Sequence, residues 1–242
     1  MKTNYRYLLF DADHTLLDFT KDEYFAFQKL FAELGMETDE TFLNECNRLS
    51  EETWTEVGLY NVYDKRVQKK YHRLYAGHLK TLFSKIFRLR PCRVNVRKVA
   101  LRFLQLLEEG GAYKDGAEEC LKSLSRFFGG NYRLCVVTNG LKDIQRGRLQ
   151  PFQKYLEGTF ISQELRCIKP DPEFFSRVLK KLGVRAEECL MIGDSLSSDV
   201  AGANAVGMDS VWVNFSGKQN GTAHRPTYEV QSLWELTELL NG

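Results

Sequence analysis

Two aspartates one residue apart, Asp11 and Asp13, close the apolar run Tyr7-Leu8-Leu9-Phe10 and are followed by His14-Thr15-Leu16. Such a run of aromatic and aliphatic residues reads as a strand buried on both faces of a parallel sheet. In open α/β sheets, ligands gather beyond the carboxyl ends of these strands. Two carboxylates crowded into a partly desolvated crevice repel each other unless a proton or a cation compensates, so the pair predicts a shared proton or a bound metal. A solvated Asp-x-Asp turn with a capping role is the competing reading, and the pair alone leaves both open.

Three further segments carry polar side chains where such strands end. Leu134-Cys135-Val136-Val137 runs into Thr138-Asn139-Gly140. A hydroxyl followed by backbone amides at a helix N-terminus favours an anion such as phosphate, although taken alone it reads as plain N-capping with Gly supplying the turn. Lys169 lies in Ile168-Lys169-Pro170-Asp171-Pro172, where Pro172 suits a first helical turn and Asp171 its cap. From that rigid turn a lysine can reach the crevice and neutralise a phosphoryl oxygen, whereas an ordinary loop lysine is solvated. The segment from Leu190 to Val200 is a buried strand, Gly193, then Asp194 at the strand end and Asp199 near the next helix start. Asp199 also suits a helix N-cap; Asp194 does not. With Asp11 and Asp13, Asp194 makes an oxygen-rich set suited to Mg²⁺, a hard cation that binds through one or two carboxylates, waters and phosphate.

The elements that must position these residues follow from periodicity. Between about residues 22 and 110 the chain reads as helical: Tyr24, Phe27, Leu30, Phe31 and Leu34 recur at helical spacing and stop at Gly35, and three later stretches repeat the pattern. After residue 112, short strands alternate with helices. Helices are expected over 118–127, 141–149, 172–182, 199–206 and 233–240, and strands over 133–137, 159–161, 189–192, 210–213 and 228–230. This alternation implies right-handed βαβ units and a parallel sheet. The expected fold is therefore α/β: a Rossmann-like parallel-sheet core, residues 1–17 and 110–242, interrupted by an all-helical insertion over 18–109. The polar stretch 216–225 reads as a mobile surface loop.

Composition narrows the function classes. With 34 Lys and Arg against 32 Asp and Glu, the chain has no global electrostatic footprint for a nucleic-acid polymer or an anionic membrane. The six cysteines are scattered without a Cys-x-x-Cys pair or a Cys/His cluster, which argues against a zinc site or redox motif. Too few apolar residues precede Asp11 for a signal-peptide core, and no stretch approaches a membrane span, so a cytoplasmic location is expected.

Taken together, Asp11-Ala12-Asp13-His14-Thr15, Thr138-Asn139-Gly140, Lys169-Pro170 and Gly193-Asp194-Ser195 through Asp199 resemble the four motifs of the haloacid dehalogenase (HAD) superfamily of phosphohydrolases, over about two thirds of the chain. The resemblance implies that Asp11 is a nucleophile forming an aspartyl-phosphate and Asp13 a general acid and then base. It implies that Thr138, the amide of Asn139 and Lys169 hold the phosphoryl group. Mg²⁺ would be bound by Asp11, Asp194 and the backbone carbonyl of Asp13, with Asp199 supporting the metal or Lys169. The second aspartate separates phosphatases from the superfamily's dehalogenases, which typically lack it.

A helical insertion after the first motif resembles the type 1 cap. The segments around Thr138-Asn139-Gly140-Leu141, Gln145, Arg148-Leu149, Ile161-Ser162-Gln163-Glu164 and Pro226-Thr227-Tyr228 resemble the 5′-nucleotidase branch, which hydrolyses nucleoside monophosphates, chiefly pyrimidine ones. The implied substrate is a small phosphorylated metabolite. A phosphatase for a sugar phosphate, phosphoglycolate or acylneuraminate phosphate on the same core is the alternative, and a catalytically idle binding module the rival from another class. Two departures stand out: His14 where the family often has Gly or Glu, and Arg166-Cys167 in place of Gly-Val before Lys169. Arg disfavours a backbone conformation that Gly allows, so that loop is expected either to differ or to bring Arg166 to the substrate. In the insertion, Trp54, Tyr60, Tyr63, Tyr71 and Tyr75 are read as helix packing rather than base stacking, and the basic run 65–70 with Arg73 as a solvated helix face.

Overall fold

The computed structural model describes residues 5–242. Met1–Asn4, counted with the core above, lie outside the described residues. Among the described residues six strands form one parallel sheet: β1 (Tyr7–Phe10), β2 (Arg133–Thr138), β3 (Leu156–Ile161), β4 (Cys189–Gly193), β5 (Asp209–Val213) and β6 (Tyr228–Val230). Their order is β3-β2-β1-β4-β5-β6. The chain leaves β1 toward β2 on one side and β4 pairs with β1 on the other, so the order reverses at β1. That reversal opens the crevice in which α/β sheets bind ligands.

Four helices follow β1 and make up the insertion: α1 (Phe19–Glu33), α2 (Glu40–Glu56), α3 (Lys65–Leu89) and α4 (Val96–Glu108). Each starts where a side chain accepts from a free backbone amide: Asp18 from Lys21, Asp39 from Phe42, Asp64 from Arg66 and Asn95 from Arg97. Their apolar stripes, with Phe27, Phe31, Phe83 and Phe103 fully buried, close on one another in a cluster of their own, joined from the sheet region by Ile144 and Ile168. The remaining helices are α5 (Ala117–Leu124), α6 (Lys142–Arg148), α7 (Ser162–Leu165), α8 (Pro172–Leu182), α9 (Ala201–Ala205) and α10 (Leu233–Asn241).

The period-2 alternation of the strands sorts the sheet into two faces. Leu8, Phe10, Leu134, Val136, Leu190 and Ile192 share a cluster with residues of α5 and α10. Tyr7, Leu9, Cys135, Val137, Cys189 and Met191 share another with Phe174, Phe175 and Val178 of α8 and Ala203 of α9. Both faces of β1 are thereby covered, as its unbroken apolar run required.

Three boundaries differ by more than one residue from those expected. β3 begins at Leu156, not 159, because a register shift between Leu134 and Cys135 lets Leu156 pair as well. α5 stops at Leu124: Ser125 turns extended and its hydroxyl donates to the Tyr155 carbonyl at 2.8 Å. The expected helix over 199–206 is preceded by a π-helical turn, Leu196–Val200, and it is Ser195 that caps this turn by accepting from the Ser198 amide. The Asp199 carboxylate is engaged elsewhere. Residues 216–225 form a loop, tied to α9 where the Asn204 side chain donates to the Arg225 carbonyl at 3.1 Å. All six cysteines are unpaired, and among the described residues no helix is long and apolar enough to cross a membrane.

Candidate active site

The ends of β1, β2 and β4 converge on one ammonium group. Lys169, at the start of the turn leading to α8, is 1% exposed. Its Nζ lies 2.8 Å from Asp11 Oδ1 and 2.6 Å from Asp199 Oδ1, and donates to the Val137 carbonyl at 2.9 Å. The turn is built as its residues suggested, with Pro172 in the first turn of α8 and the Asp171 side chain accepting from the Glu173 amide. Asn139 adds a clamp: its Oδ1 accepts from the Lys169 amide at 2.8 Å and its Nδ2 donates to the Lys169 carbonyl at 3.0 Å. Asp194 is fixed at the end of β4 by Thr15, whose hydroxyl donates to Asp194 Oδ1 at 3.1 Å and accepts from the Asp194 amide at 3.0 Å. Gly193 is required beside it, since a Cβ there would fall 2.2 Å from Asp199 Oδ2.

Oxygens of Asp11, Asp194 and Asp199 all lie within 4.8 Å of one another. Three carboxylates against one ammonium leave negative charge uncompensated. Burial, reinforced by Asp199, pushes the Asp11 carboxyl up to about 7 despite the neighbouring lysine. Burial and Asp11 push Asp194 up to about 6, and burial raises Asp199 as well. Burial opposes the charge on Lys169, but Asp11 and Asp199 outweigh it and lift the ammonium to about 12. An all-oxygen, net-negative donor set of this kind fits a hard divalent cation.

Asp13 takes a different direction. Its Oδ1 accepts from Arg148 Nη1 at 2.5 Å and its Oδ2 from Gln145 Nε2 at 2.8 Å. Gln145 also donates to the Thr138 hydroxyl at 2.8 Å, so one amide side chain bridges two residues of the expected site. Arg148 is fully buried, and its Nε donates to Asp22 Oδ2 at 2.6 Å. The roles of Gln145, Arg148 and Asp22 were not expected from the sequence. Each is a polar residue at a buried helical position, and that mismatch is the signal that could have marked them.

A cavity of about 280 Å³ extends from Asp11, Asp13, Thr138, Asn139, Lys169 and Asp194 to the helical insertion. Trp54, Tyr60, Tyr71 and Tyr75 line it, so these side chains face a ligand-sized space as well as packing among helices; Tyr63 does not line it. Polar residues of α1 and α2 share that wall: Glu23, Asn47 and Ser50. Glu23 is 5% exposed, accepts from the Ser50 hydroxyl at 2.6 Å, and is pushed up to about 8 by burial. Asn47 Oδ1 is buried without a hydrogen-bond partner among the described residues.

Both departures from the family pattern sit at positive φ, His14 at 61° and Arg166 at 57°. The Arg166 loop thus keeps the left-handed conformation that Gly would adopt freely, at a steric cost of roughly 1–2 kcal/mol. Arg166 is exposed and does not line the cavity; His14 does. The basic residues Lys65, Arg66, Lys69, Lys70 and Arg73 are exposed, as a solvated helix face requires.

A parallel α/β core carrying a carboxylate cluster and a buried lysine at its switch point suits a hydrolase of phosphoric monoesters, and the comparisons bring the chain to that class. A family model described as haloacid dehalogenase-like hydrolase matches residues 5–207, and the chain belongs to that family. Pyrimidine 5′-nucleotidase PynA of Streptococcus pneumoniae is 33% identical over 240 residues, 98% of this chain and 95% of that protein. Pyrimidine 5′-nucleotidase YjjG of Escherichia coli is 24% identical over 97% of each. The crystal structure of the HAD-hydrolase YfnB of Bacillus subtilis, bound to magnesium, matches with a TM-score of 0.81 at 28% identity, covering 99% of this chain and 100% of that one.

Proposed function

We propose that this protein is a Mg²⁺-dependent nucleoside 5′-monophosphatase that prefers pyrimidine nucleotides. The observation that carries the reading is the cavity itself, lined by a lysine and carboxylates from the sheet side and by Trp54, Tyr60 and Tyr71 from the helical insertion. Its volume of about 280 Å³ falls just under the range of small-ligand pockets, roughly 300–1,000 Å³. An aromatic wall accepts the face of a base, while Glu23, Ser50 and Asn47 Oδ1, which has no partner among the described residues, offer hydrogen bonds to its edge. The names of PynA and YjjG support the same substrate class.

In this reading an Asp11 oxygen attacks phosphorus, the ester oxygen leaves with a proton from Asp13, and the nucleoside departs. Asp13 then takes a proton from water, whose oxygen attacks the aspartyl-phosphate and releases inorganic phosphate. Lys169 holds the phosphoryl oxygens and Asp11 in line, with Thr138 and Asn139 beside it; Asp199 fixes Lys169. Asp11, Asp194 and the Asp13 carbonyl would hold Mg²⁺, which supplies positive charge against the repulsion between a carboxylate and a phosphate dianion. Residues 18–109 serve as a cap over a core made of 1–17 and 110–242. The six unpaired cysteines suit a reducing compartment, and the cytoplasm is the proposed location.

Phosphate release from a panel of nucleoside monophosphates and sugar phosphates, with Mg²⁺ and with EDTA, tests the reading. Mg²⁺-dependent preference for UMP, dUMP or dTMP is expected. Preference for sugar phosphates would overturn the substrate, and activity undiminished by EDTA would overturn the metal.

A further inference from the structure

Asp22 sits in the first turn of α1, close to where the chain leaves the core, and is 2% exposed. Its Oδ1 accepts from the amides of Gly111 and Ala112, each at 2.8 Å, where the chain returns. Its Oδ2 accepts from Arg148 Nε at 2.6 Å, and Arg148 Nη1 reaches Asp13 at 2.5 Å. One unbroken path therefore runs from both connections of the helical insertion to the second motif aspartate. The approach is tight: a Cβ on Gly110 would fall 2.8 Å from the Asp22 carboxyl carbon.

This path is a poor stabilising device. Taking a guanidinium and a carboxylate fully out of water costs several kcal/mol per ion, and well-packed apolar residues often replace such pairs without loss. Arg148 Nη2 has no hydrogen-bond partner among the described residues, and the guanidinium lies 5.2 Å from the centre of the Phe19 ring. What the pair does provide is direction. Two donors on the rigid guanidinium fork fix Asp13 relative to Asp22.

Resting on the assignment of Asp13 as general acid, we propose that Arg148 and Asp22 are positioning residues that aim the Asp13 carboxyl at the leaving oxygen and make that aim depend on where the helical insertion sits. Gln145 supports the same carboxylate from the other oxygen. The substrate is touched by neither Arg148 nor Asp22 in this account. They act through Asp13.

The chemistry supplies a discriminating test. A nucleoside leaves as a strongly basic alkoxide and needs the proton from Asp13; p-nitrophenolate is a stable anion and needs little help. kcat/KM, which reports events up to departure of the leaving group, is measured for UMP and for p-nitrophenyl phosphate with wild type, Asp13→Asn, Asp22→Asn and Arg148→Met. Asp22→Asn keeps an oxygen for Gly111 and Ala112 but removes the acceptor for Arg148, so it tests the relay even if Arg148→Met fails to fold. Expected is a loss of about 10-fold or more on UMP for Asp22→Asn, a part of the roughly 10²–10⁴-fold that a general acid contributes, with p-nitrophenyl phosphate held within about 2-fold. Equal losses on both substrates, or none, in a folded Asp22→Asn protein would overturn the relay. If Asp13→Asn also lowers both substrates equally, the general-acid assignment itself fails and the relay with it.

Discussion

Lys169 Nζ lies 2.8 Å from Asp11 Oδ1, and the contact is closed from behind by Asp199 at 2.6 Å. The proposed nucleophile thus already touches the cation that would meet the phosphate, and no side chain must swing in to complete the pair. Lys169→Met is expected to lower kcat/KM by at least about 10²-fold, the scale of losing a preorganised electrostatic contact. It also leaves Asp11 and Asp199 buried without their cation, so a loss of about 3–5 kcal/mol in urea unfolding at neutral pH should accompany it. Loss of activity below 10-fold would contradict the role given to this lysine.

Tyr60 lines the cavity yet is 61% exposed, so it can be removed with little effect on packing. If it stacks on a base, Tyr60→Ala should reduce kcat/KM for UMP by roughly 5–160-fold, the equivalent of about 1–3 kcal/mol per stacked base. Ribose 5-phosphate, which has no base, should be unaffected by the change. Parallel losses on both compounds would remove Tyr60 from base recognition.

Glu23 gives a pH signature in stability. Burial raises its carboxyl from the ordinary 4.5 to about 8, so between those values the folded protein holds a proton that the unfolded chain has released. The unfolded state then binds fewer protons, and stability falls as pH rises through that window. Glu23→Gln, which cannot ionise, should be more stable than wild type near pH 8.5, with the advantage shrinking toward zero near pH 4.5. Chemical unfolding midpoints across this range check it; an offset independent of pH would show that Glu23 is not held protonated.

The carboxylate end of the cavity was legible in the sequence because most of its residues sit at or just after strand ends, and strand ends are readable. Apolar runs such as Tyr7–Phe10 and Leu190–Ile192 announce buried strands, and whatever follows them enters the crevice. Asp11, Thr138 and Asp194 lie where that rule puts them, whereas Lys169 comes after α7 and Asp199 within the π-helical turn after β4. The other end was not legible. Trp54, Tyr71 and Tyr75 fall on helical positions that serve packing and cavity lining alike, and periodicity does not separate the two uses. The path from Asp22 through Arg148 to Asp13 joins residues more than a hundred positions apart, so only the folded chain reveals it. Asp199 carried two readings, a helix cap and a support for the metal or Lys169. It suits a helix cap by sequence, but Lys169 and the Ser195 amide claim its oxygens, and Ser195 provides the cap.

In the proposed mechanism Asp11 itself takes up the phosphoryl group. Acid quenching of the enzyme during turnover of UMP with Mg²⁺, followed by peptide mass spectrometry, tests it directly. A phosphoryl group on the peptide bearing Asp11, absent in an inactive Asp11→Asn variant, is the predicted result. Full turnover by Asp11→Asn, with no phosphorylated peptide in either protein, would contradict it.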